Sequence, residues 1–262
     1  MHTKKVIEHI VNWLKDYANN SNMEGFVIGV SGGIDSAVTS SLCAKTGLPT
    51  LCVEMPIHQA KSQVNRAKEH IEQLKNNYPN ISNEEINLTS VFEEFKNQNP
   101  IPANSSLLDL SLANTRARLR MTSLYYFAGL HRYLVVGTGN KVEDFGVGFF
   151  TKYGDGGVDL SPIADLLKSE VYTLGTLLNV PQSILNASPT DGLFGDDRTD
   201  EDQIGASYDE LEWAMKMKDL NHSPSDFINR EKTVFELYNR LNKINQHKVK
   251  PIPVCNIPQD FK

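Results

Sequence analysis

The stretch from Gly29 to Ser36 combines the residue types that bind phosphate. Its sequence is Gly-Val-Ser-Gly-Gly-Ile-Asp-Ser. Glycines let an anion approach the backbone, and the first N–H groups of a helix are unpaired donors at the positive end of its dipole. The serines add hydroxyl groups, and the carboxylate of Asp35 suits Mg²⁺. We predict a site for a phosphorylated ligand; the simpler alternative is a turn in which Asp35 or Ser36 only caps a helix.

The flanking residues place this stretch between a strand and a helix. A β-branched run at 26–30 leads into it, and apolar residues at helical spacing follow at 37–45. A Walker loop would need Lys followed by Ser or Thr, and a dinucleotide fingerprint would need Gly-x-Gly-x-x-Gly; the stretch has neither. It resembles the PP-loop of the N-type ATP pyrophosphatases. That resemblance implies cleavage of ATP between its α- and β-phosphates.

A second block of polar and glycine residues follows a later strand-like run. It begins at Gly137-Thr138 and continues through the glycine-rich loop 149–159, whose sequence is Phe-Phe-Thr-Lys-Tyr-Gly-Asp-Gly-Gly-Val-Asp. Such a loop can approach a polar ligand closely and recognise charges of both signs. The alternative is a glycine-rich surface turn with local salt bridges. We favour a second part of the ligand site.

Strand-like and helical patterns alternate along the chain. Strand-like runs at 25–30, 50–55 and 133–137 are interspersed with helical patterns at 4–19, 36–46, 58–77, 105–130, 166–178, 205–219 and 224–246. Weaker patterns indicate a strand at 86–88 and a helix at 91–96, and 97–106 is typical of an internal loop. The alternation predicts an α/β fold with a doubly wound, mainly parallel sheet and helices on both faces. A ligand then belongs at the carboxyl ends of the strands.

Composition limits the class of protein. The 262 residues, 40% of them hydrophobic, predict a single domain over 1–262. The formal charge of −6 argues against a general nucleic-acid binder. Because no segment has the apolar length of a membrane span and the amino-terminal pattern lacks a signal-peptide core, we expect no membrane partner and a cytoplasmic location. Cys43, Cys52 and Cys255 are unclustered, which favours small core residues over disulfides or a zinc site.

The helical pattern at 105–130 is apolar around much of its circumference. Such a helix is either deeply internal or shared with another subunit, and we expect a homodimer interface. The same pattern carries three arginines. At helical spacing Arg116 and Arg120 share a face, whereas Arg118 points nearly opposite, so the three form no single basic patch.

Together these motifs resemble the NAD⁺ synthetase family. The PP-loop, Gly137-Thr138, the glycine-rich loop, Lys168, Ser188-Pro189-Thr190 and His247-Lys248 occur in that family's order and approximate spacing over nearly the whole chain. The resemblance implies an adenine nucleotide α-hydrolase-like fold and a ligase that forms a C–N bond. Such an enzyme amidates deamido-NAD⁺ with ATP, Mg²⁺ and ammonia. The reaction passes through a deamido-NAD adenylate, releases AMP and pyrophosphate, and is the last step of NAD⁺ biosynthesis.

The resemblance also implies the site residues. ATP would contact Gly29, Val30, Ser31, Gly32, Gly33, Ile34, Asp35, Ser36, Thr138, Lys168 and Thr190. Deamido-NAD⁺ would contact Arg118, Lys152, Asp159, His247 and Lys248. Asp35 and Glu143 would bind Mg²⁺, and Lys168 would stabilise the charge on the departing pyrophosphate. We add the hypothesis that Asp155 deprotonates ammonium or orients ammonia.

Three features depart from the family pattern or leave a choice open. Between Glu143 and Phe149 the chain is one residue longer than many members, so Asp144 competes with Glu143 as metal ligand; we favour Glu143. Ile34 stands where many relatives carry a polar residue. The acidic run 196–202 resembles a flap that orders over substrate, and we favour a solvated loop over a further metal site.

The sequence also predicts the nitrogen donor, and it leaves two alternative functions open. Glutamine-using relatives carry a large amidohydrolase domain, for which this chain lacks the length, so ammonia is the expected donor. The chain could instead be another PP-loop ligase, acting on a tRNA base or a purine nucleotide, or a nucleotide-binding regulatory module without turnover. Pyrophosphate release with a different acceptor would support the first of these. Absence of release with any acceptor would support the second.

Overall fold

Four parallel strands form the central sheet in the order β3-β2-β1-β4 in the computed structural model. Their bounds are β1 Gly25–Gly29, β2 Thr50–Glu54, β3 Ile81–Glu85 and β4 Tyr133–Val135. The chain moves outward from β1 to β3 and then returns to the other side of β1 with β4. The winding direction therefore reverses between β1 and β4, the place where such sheets bind ligands. The predicted doubly wound parallel sheet is confirmed.

Helices surround the sheet. They are α1 Thr3–Asn20, α2 Ile34–Lys45, α3 Lys61–Asn77, α4 Thr89–Gln98, α5 Leu108–His131, α6 Lys168–Leu177, α7 Gln182–Leu185, α8 Asp200–Ile204, α9 Tyr208–Asp219, α10 Asn229–Ile244 and α11 Gln246–Val249. A π-helix spans Lys141–Val147, and 3₁₀ turns span Pro224–Asp226 and Gln259–Phe261. No helix within the described ranges is long and apolar enough to cross a membrane.

The structure describes residues 1–100, 107–190 and 199–262. Most of the predicted internal loop at 97–106 and the first part of the acidic run at 196–202 lie outside these ranges.

Side chains that alternate along the strands divide the core into two layers. Phe26 and Ile28 of β1 pack with residues of α1, α2, α3 and α6, whereas Val27 packs on the other face with residues of α4 and α5. A third apolar cluster joins the π-helix to α9 and α10. Both faces of the sheet are therefore covered, as predicted, and the third cluster lies beside the carboxyl end of β4.

Two sequence predictions were wrong. The strand predicted at 86–88 lies at Ile81–Glu85, because the edge strand carries polar, partly exposed side chains and lacks the apolar alternation of a half-buried strand. Cys43 and Cys52 are buried, but Cys255 is exposed. It lies in a tail with Pro251 and Pro253, which lack the N–H groups that a helix or a sheet ladder requires, and this tail does not pack on the core.

The apolar side chains predicted around much of α5 are largely left uncovered by the rest of the described chain. Only Ala113, Ala117 and Ala128 of this helix are buried, and Leu110, Tyr126 and Leu130 are more than half exposed. The three arginines diverge as predicted. Arg116 stacks on the ring of Phe92, Arg120 donates to the carbonyl of Met55, and Arg118 donates to the carbonyl of Lys152.

Buried His70 makes stability depend on pH. It lies on α3, 1% exposed, with Nε2 2.9 Å from Ser40 Oγ, and burial lowers its pKa to about 4. Its unfolded pKa is about 6.5, so the folded state binds fewer protons between these values, and the stability present above pH 6.5 is lost as the pH falls toward 4. Between pH 7.5 and 4.5 the free energy of unfolding should therefore fall by about 2 kcal/mol less in His70→Leu than in wild type.

Urea unfolding at the two pH values measures this difference. Ser40 stays hydrogen-bonded in the variant, because its hydroxyl also donates to the carbonyls of Ser36 and Ala37. His9→Leu, on the exposed side of α1, is the matched control and should keep the wild-type pH dependence. An equal loss in wild type and His70→Leu would contradict the prediction.

Candidate active site

Glycine and hydroxyl groups shape the loop between β1 and α2. Gly32 has φ +82°, and a Cβ there would lie 2.4 Å from the carbonyl oxygen of Gln63 on α3, so only glycine fits. Arg66 Nε donates to the Gly32 carbonyl at 3.2 Å. Within the loop, Gly33 N donates to Ser31 Oγ at 3.2 Å, and Ser36 Oγ donates to the Gly33 carbonyl at 3.0 Å. The loop is thus fixed against α3, with the amino end of α2 at its centre.

A buried lysine joins two carboxylates beside this loop. Lys168 Nζ donates to Asp35 Oδ2 at 2.6 Å and to Glu143 Oε1 at 2.8 Å. The side chain of Lys168 is 3% exposed, and those of Asp35 and Glu143 are 17% and 15% exposed. The three residues come from α6, α2 and the π-helix. Residues far apart in the sequence therefore meet where the carboxyl ends of β1 and β4 adjoin.

The pKa values in this cluster follow from burial opposed by charge pairing. Burial opposes the charged form of Lys168, but the attraction of Asp35 and Glu143 outweighs it and raises the lysine pKa. Burial also works against the charge of Glu143, yet Lys168 and the Tyr208 hydroxyl hold the Glu143 pKa below its ordinary value. For Asp35, burial prevails and raises the pKa. Glu143 is thus the carboxylate that most firmly keeps its charge.

Asn140 connects the carboxylate of Asp35 to the backbone of Glu143. Its side-chain oxygen accepts from the N–H groups of Val142 and Glu143 at 3.1 and 3.0 Å and caps the π-helix. Its amide nitrogen donates to Asp35 Oδ1 at 3.0 Å. The π-helix holds seven residues, and its wider turn accommodates an additional residue without a break in the chain. The stretch between Glu143 and Phe149, where the sequence analysis predicts one residue more than in many family members, begins within this π-helix.

A cavity of about 280 Å³ extends from the phosphate-type loop past the lysine cluster to the glycine-rich loop. The predicted residues that line it are Gly29, Val30, Ser31, Gly32, Gly33, Ile34, Asp35, Ser36, Thr138, Glu143, Asp155, Lys168 and Thr190. The structure thus gathers the residues predicted to contact ATP and the metal, together with Asp155, around one space. A cavity of this size suits a small ligand with polar groups.

Asp155 and Asp144 stand on the cavity wall in different surroundings. Asp155 Oδ1 accepts from Thr151 N at 2.9 Å, and its carboxyl group opens to the cavity. The surrounding protein nonetheless desolvates it and raises its pKa to about 6. Asp144 packs against Gly139, where a Cβ would collide with its carboxylate, and burial together with neighbouring Asp155 raises its pKa well above the ordinary value. Asp144 takes no part in the Lys168 cluster.

The residues predicted to contact deamido-NAD⁺ lie around the glycine-rich loop, outside the cavity lining found in the described part of the chain. Arg118 donates to the Lys152 carbonyl, Lys152 Nζ to the His247 carbonyl at 2.7 Å, and Lys248 Nζ to the Phe150 carbonyl at 2.9 Å. Asp159 accepts from Tyr125 OH and from Val135 N at 2.9 and 2.8 Å. These side chains hold the loop against α5, β4 and α11.

Asn140 and Tyr208 were missed by the sequence analysis, and Asp200 was misinterpreted. Asp200 belongs to the acidic run for which a solvated loop was favoured, but it is 6% exposed and begins α8, so that prediction was wrong for this residue. Asn140 lies within the second block, and its position three residues before Glu143 is a helix-start signal that could have found it. Tyr208 and Asp200 meet over Glu143, with Tyr208 OH 2.6 Å from Glu143 Oε1 and 3.2 Å from Asp200 Oδ2. An aromatic residue in an amphipathic pattern is more typical of a core, so the sequence gives no signal for this contact.

Removal of the buried ammonium tests the cluster. We expect Lys168→Met to lower the free energy of unfolding by about 3–5 kcal/mol at pH 8, because two buried carboxylates lose their counter-charge. Both carboxylates then have folded pKa values above their unfolded ones, so the deficit shrinks as the pH falls. Lys141→Met, which breaks the exposed pair with Asp165, should cost less than about 1 kcal/mol. Equal unfolding free energies for the two variants in urea would contradict this interpretation.

Comparison with known proteins gives the family. The model of the family described as NAD synthase matches residues 6–252. The NH₃-dependent NAD⁺ synthetase of Mesoplasma florum is 36% identical over 253 residues, which are 95% of each chain. A solved structure of an NMN synthetase from Francisella tularensis is 35% identical, with a TM-score of 0.85 over 98% of this chain and all of that one.

A second solved structure, an NH₃-dependent NAD synthetase from Campylobacter jejuni, is 26% identical, with a TM-score of 0.78 over 98% of this chain and all of that one. Sequence, fold and the motifs gathered at the strand ends agree over nearly the full length. This chain belongs to the NAD synthase family.

Proposed function

We propose that this protein amidates deamido-NAD⁺ to NAD⁺ with ATP and ammonia and releases AMP and pyrophosphate. The observation that carries the proposal is the joining of the PP-loop, the Asp35, Glu143 and Lys168 cluster and Asp155 around one cavity. Membership of the NAD synthase family and the names of relatives as NH₃-dependent enzymes support the reaction and its nitrogen donor.

The loop and the lysine cluster suit the triphosphate. Backbone N–H groups at the start of α2 face an anion without the obstruction of a Cβ at Gly32 and Gly33. The Lys168 ammonium lies at the same end of the cavity and can stabilise negative charge as pyrophosphate departs. Thr138 and Thr190 line the same space and offer hydroxyl groups to the nucleotide.

The charges of Asp35 and Glu143 fit a divalent cation. Both carboxylates converge on one point, which the ammonium of Lys168 already contacts, so the site is built for positive charge. No group of three or more His, Cys, Asp or Glu side chains suited to a metal occurs in the described ranges. Two carboxylates with phosphate oxygens and waters are a typical Mg²⁺ environment. Mg²⁺ held there would neutralise phosphate charge and favour pyrophosphate as a leaving group.

The first step, adenylation of the nicotinate carboxylate, requires correct positioning of the two substrates more than a strong base. An oxygen of the nicotinate carboxylate attacks the α-phosphorus of ATP, the bond to the β-phosphate oxygen breaks, and pyrophosphate leaves with its electron pair. Ammonia then attacks the acyl carbon, the bond to the AMP oxygen breaks, and the amide remains. Asp155 takes the proton from nitrogen, which its position on the cavity wall and its pKa of about 6 support.

Further assignments rest on the same reasoning. Arg118, Lys152 and Lys248 supply positive charge around the glycine-rich loop, suited to the pyrophosphate of deamido-NAD⁺, and His247 adds a polar ring beside them. Asp159 is suited to a hydroxyl group or the nicotinate end. The exposed apolar face of α5 supports a homodimer. We also propose a single domain and a cytoplasmic location.

The second candidate function is the same amidation with nicotinate mononucleotide as the acceptor. A solved structure that is 35% identical with a TM-score of 0.85 is described as an NMN synthetase. Amidation of nicotinate mononucleotide would use the same attack on ATP and the same ammonia step. The two reactions differ only in whether the acceptor carries the adenylyl half.

A direct comparison of acceptors and donors tests the proposal. Purified protein is incubated with ATP and Mg²⁺, with either deamido-NAD⁺ or nicotinate mononucleotide, and with either ammonium or glutamine. Pyrophosphate and the amide product are quantified by chromatography. We expect NAD⁺ with ammonium and deamido-NAD⁺. A higher kcat/KM with the mononucleotide would favour the second candidate, and absence of product from both acceptors would contradict the proposed function.

Asp155→Asn tests the role of Asp155 in the ammonia step. Asn keeps the oxygen that accepts from Thr151 N but cannot take a proton. We expect kcat/KM for ammonium to fall about 100-fold. Because the pKa of Asp155 is about 6, the wild-type rate should rise as the pH increases through 6, and this inflection should be absent from the variant. The titration of ammonium itself remains in both enzymes and serves as the internal control. An unchanged ammonium dependence would exclude this role.

A further inference from the structure

One side chain from outside the central sheet touches both members of the Glu143 and Lys168 pair. Tyr208 begins α9 and is 8% exposed. Its hydroxyl lies 2.6 Å from Glu143 Oε1, and Lys168 Nζ lies 4.8 Å from the centroid of its ring. A cation at this distance from an aromatic face is attracted to it. No motif singled out in the sequence includes this residue.

We propose that Tyr208 is a positioning residue that holds Glu143 in the orientation required to bind the divalent cation of the reaction. The inference rests on the proposed function, because it requires a cation at Asp35 and Glu143. Residues that hydrogen-bond to a metal ligand commonly set its orientation and its affinity for the metal.

The hydroxyl contacts favour Glu143 as the acceptor. A tyrosine hydroxyl has one proton, and two carboxylates lie within reach, Glu143 at 2.6 Å and Asp200 at 3.2 Å. The shorter contact receives the proton, and hydrogen bonds from a hydroxyl to a carboxylate are strong at this distance. A tyrosine hydroxyl carries its proton near neutral pH, so it is the donor in this contact with the carboxylate.

Tyr208 differs in its charge from Lys168, which donates to the same oxygen of Glu143. Lys168 also donates to Oε1, but its ammonium is repelled by a second cation at the same carboxylates. The tyrosine hydroxyl is neutral and feels no such repulsion. Tyr208 is therefore the donor that can keep Glu143 in place while a divalent cation is bound.

The backbone around Tyr208 is fixed independently of the metal. Its N–H group donates to Glu201 Oε1 at 2.8 Å, and Ser207 caps α9 by accepting from Glu210 N. Asp200 N donates to the Pro189 carbonyl at 3.1 Å, which places Asp200 next to the run that contains Thr190. The hydroxyl is thus held beside Glu143 by contacts of the two helices α8 and α9.

A purely structural role is the alternative, and a second tyrosine of the same cluster provides the control. Tyr238 of α10 is 3% exposed and belongs to the same apolar cluster as Tyr208, but it is not among the hydrogen-bond partners found for Glu143 within the described part of the chain. Tyr208→Phe and Tyr238→Phe both remove one buried hydroxyl. Only the first removes a contact with Glu143.

The experiment measures metal binding without turnover. The dissociation constant of Mn²⁺, a spectroscopic substitute for Mg²⁺, is measured by electron paramagnetic resonance in the presence of an ATP analogue with a methylene group between the α- and β-phosphates. We expect Tyr208→Phe to raise the Mn²⁺ Kd about 10-fold and Tyr238→Phe to leave it unchanged. Metal-free binding of the analogue, measured by calorimetry, should be the same in all three proteins.

A donor at the same place should restore binding. With p-aminophenylalanine incorporated in place of Tyr208, the ring and a hydrogen-bond donor are both retained, and we expect a Kd within about twofold of wild type. Circular dichroism identifies the folded variants, and Kd is compared well below the lowest Tm. If Tyr208→Phe does not fold, the p-amino variant is compared with a p-methylphenylalanine variant, which keeps the size of the side chain without a donor.

Two outcomes would overturn the inference and can be told apart. If wild type binds Mn²⁺ and the variants without a donor at residue 208 bind it equally well, the positioning role is wrong and the proposed function is unaffected. If wild type with the ATP analogue binds no Mn²⁺, the proposed metal site fails as well.

Discussion

A buried ammonium ion between two carboxylates is the interaction on which the other features of the site depend. Lys168 is almost wholly removed from solvent and contacts Asp35 and Glu143 at 2.6 and 2.8 Å. Buried charges are stable only when they are paired and when their remaining hydrogen-bonding capacity is used. Asn140 and Tyr208 meet that second requirement. The arrangement keeps two carboxylates at the strand ends and balances their charge with one buried ammonium.

The parallel sheet brings the parts of this cluster together. Because β1 and β4 are neighbours that run in the same direction, the loops after them meet at one edge. Asp35 enters from the first of these loops and Glu143 from the π-helix after the second. α6 packs on α2 in the same layer and brings Lys168 between them. The third apolar cluster packs α9 against the π-helix, and this packing places Tyr208 next to Glu143.

Features of the fold and site that depend on a few consecutive residues were predicted from the sequence. Features that depend on contacts between distant residues were not. The PP-loop was predictable because the role of Gly32 lies in a few consecutive residues, and the buried strands because their apolar runs are continuous. The edge strand β3 was misplaced because its side chains are polar. Cys255 was wrongly expected in the core, because a sequence pattern does not reveal whether a tail packs on the protein. Tyr208 meets Glu143 across 65 residues, a contact that only the tertiary fold decides. The π-helix at Lys141–Val147 was not predicted, because its short polar and glycine-containing sequence carries no helical periodicity.

In the reaction proposed for this site, a carboxylate is joined to the α-phosphate of ATP before ammonia enters. It is tested most directly by deamido-NAD⁺ labelled with ¹⁸O in its nicotinate carboxylate, incubated with ATP, Mg²⁺ and ammonium, with mass spectrometry of the products. We expect one ¹⁸O atom in each AMP formed and none in pyrophosphate. The attacking carboxylate oxygen stays bonded to the α-phosphorus and leaves with AMP when ammonia displaces it. Unlabelled AMP, or label in pyrophosphate or inorganic phosphate, would contradict this prediction.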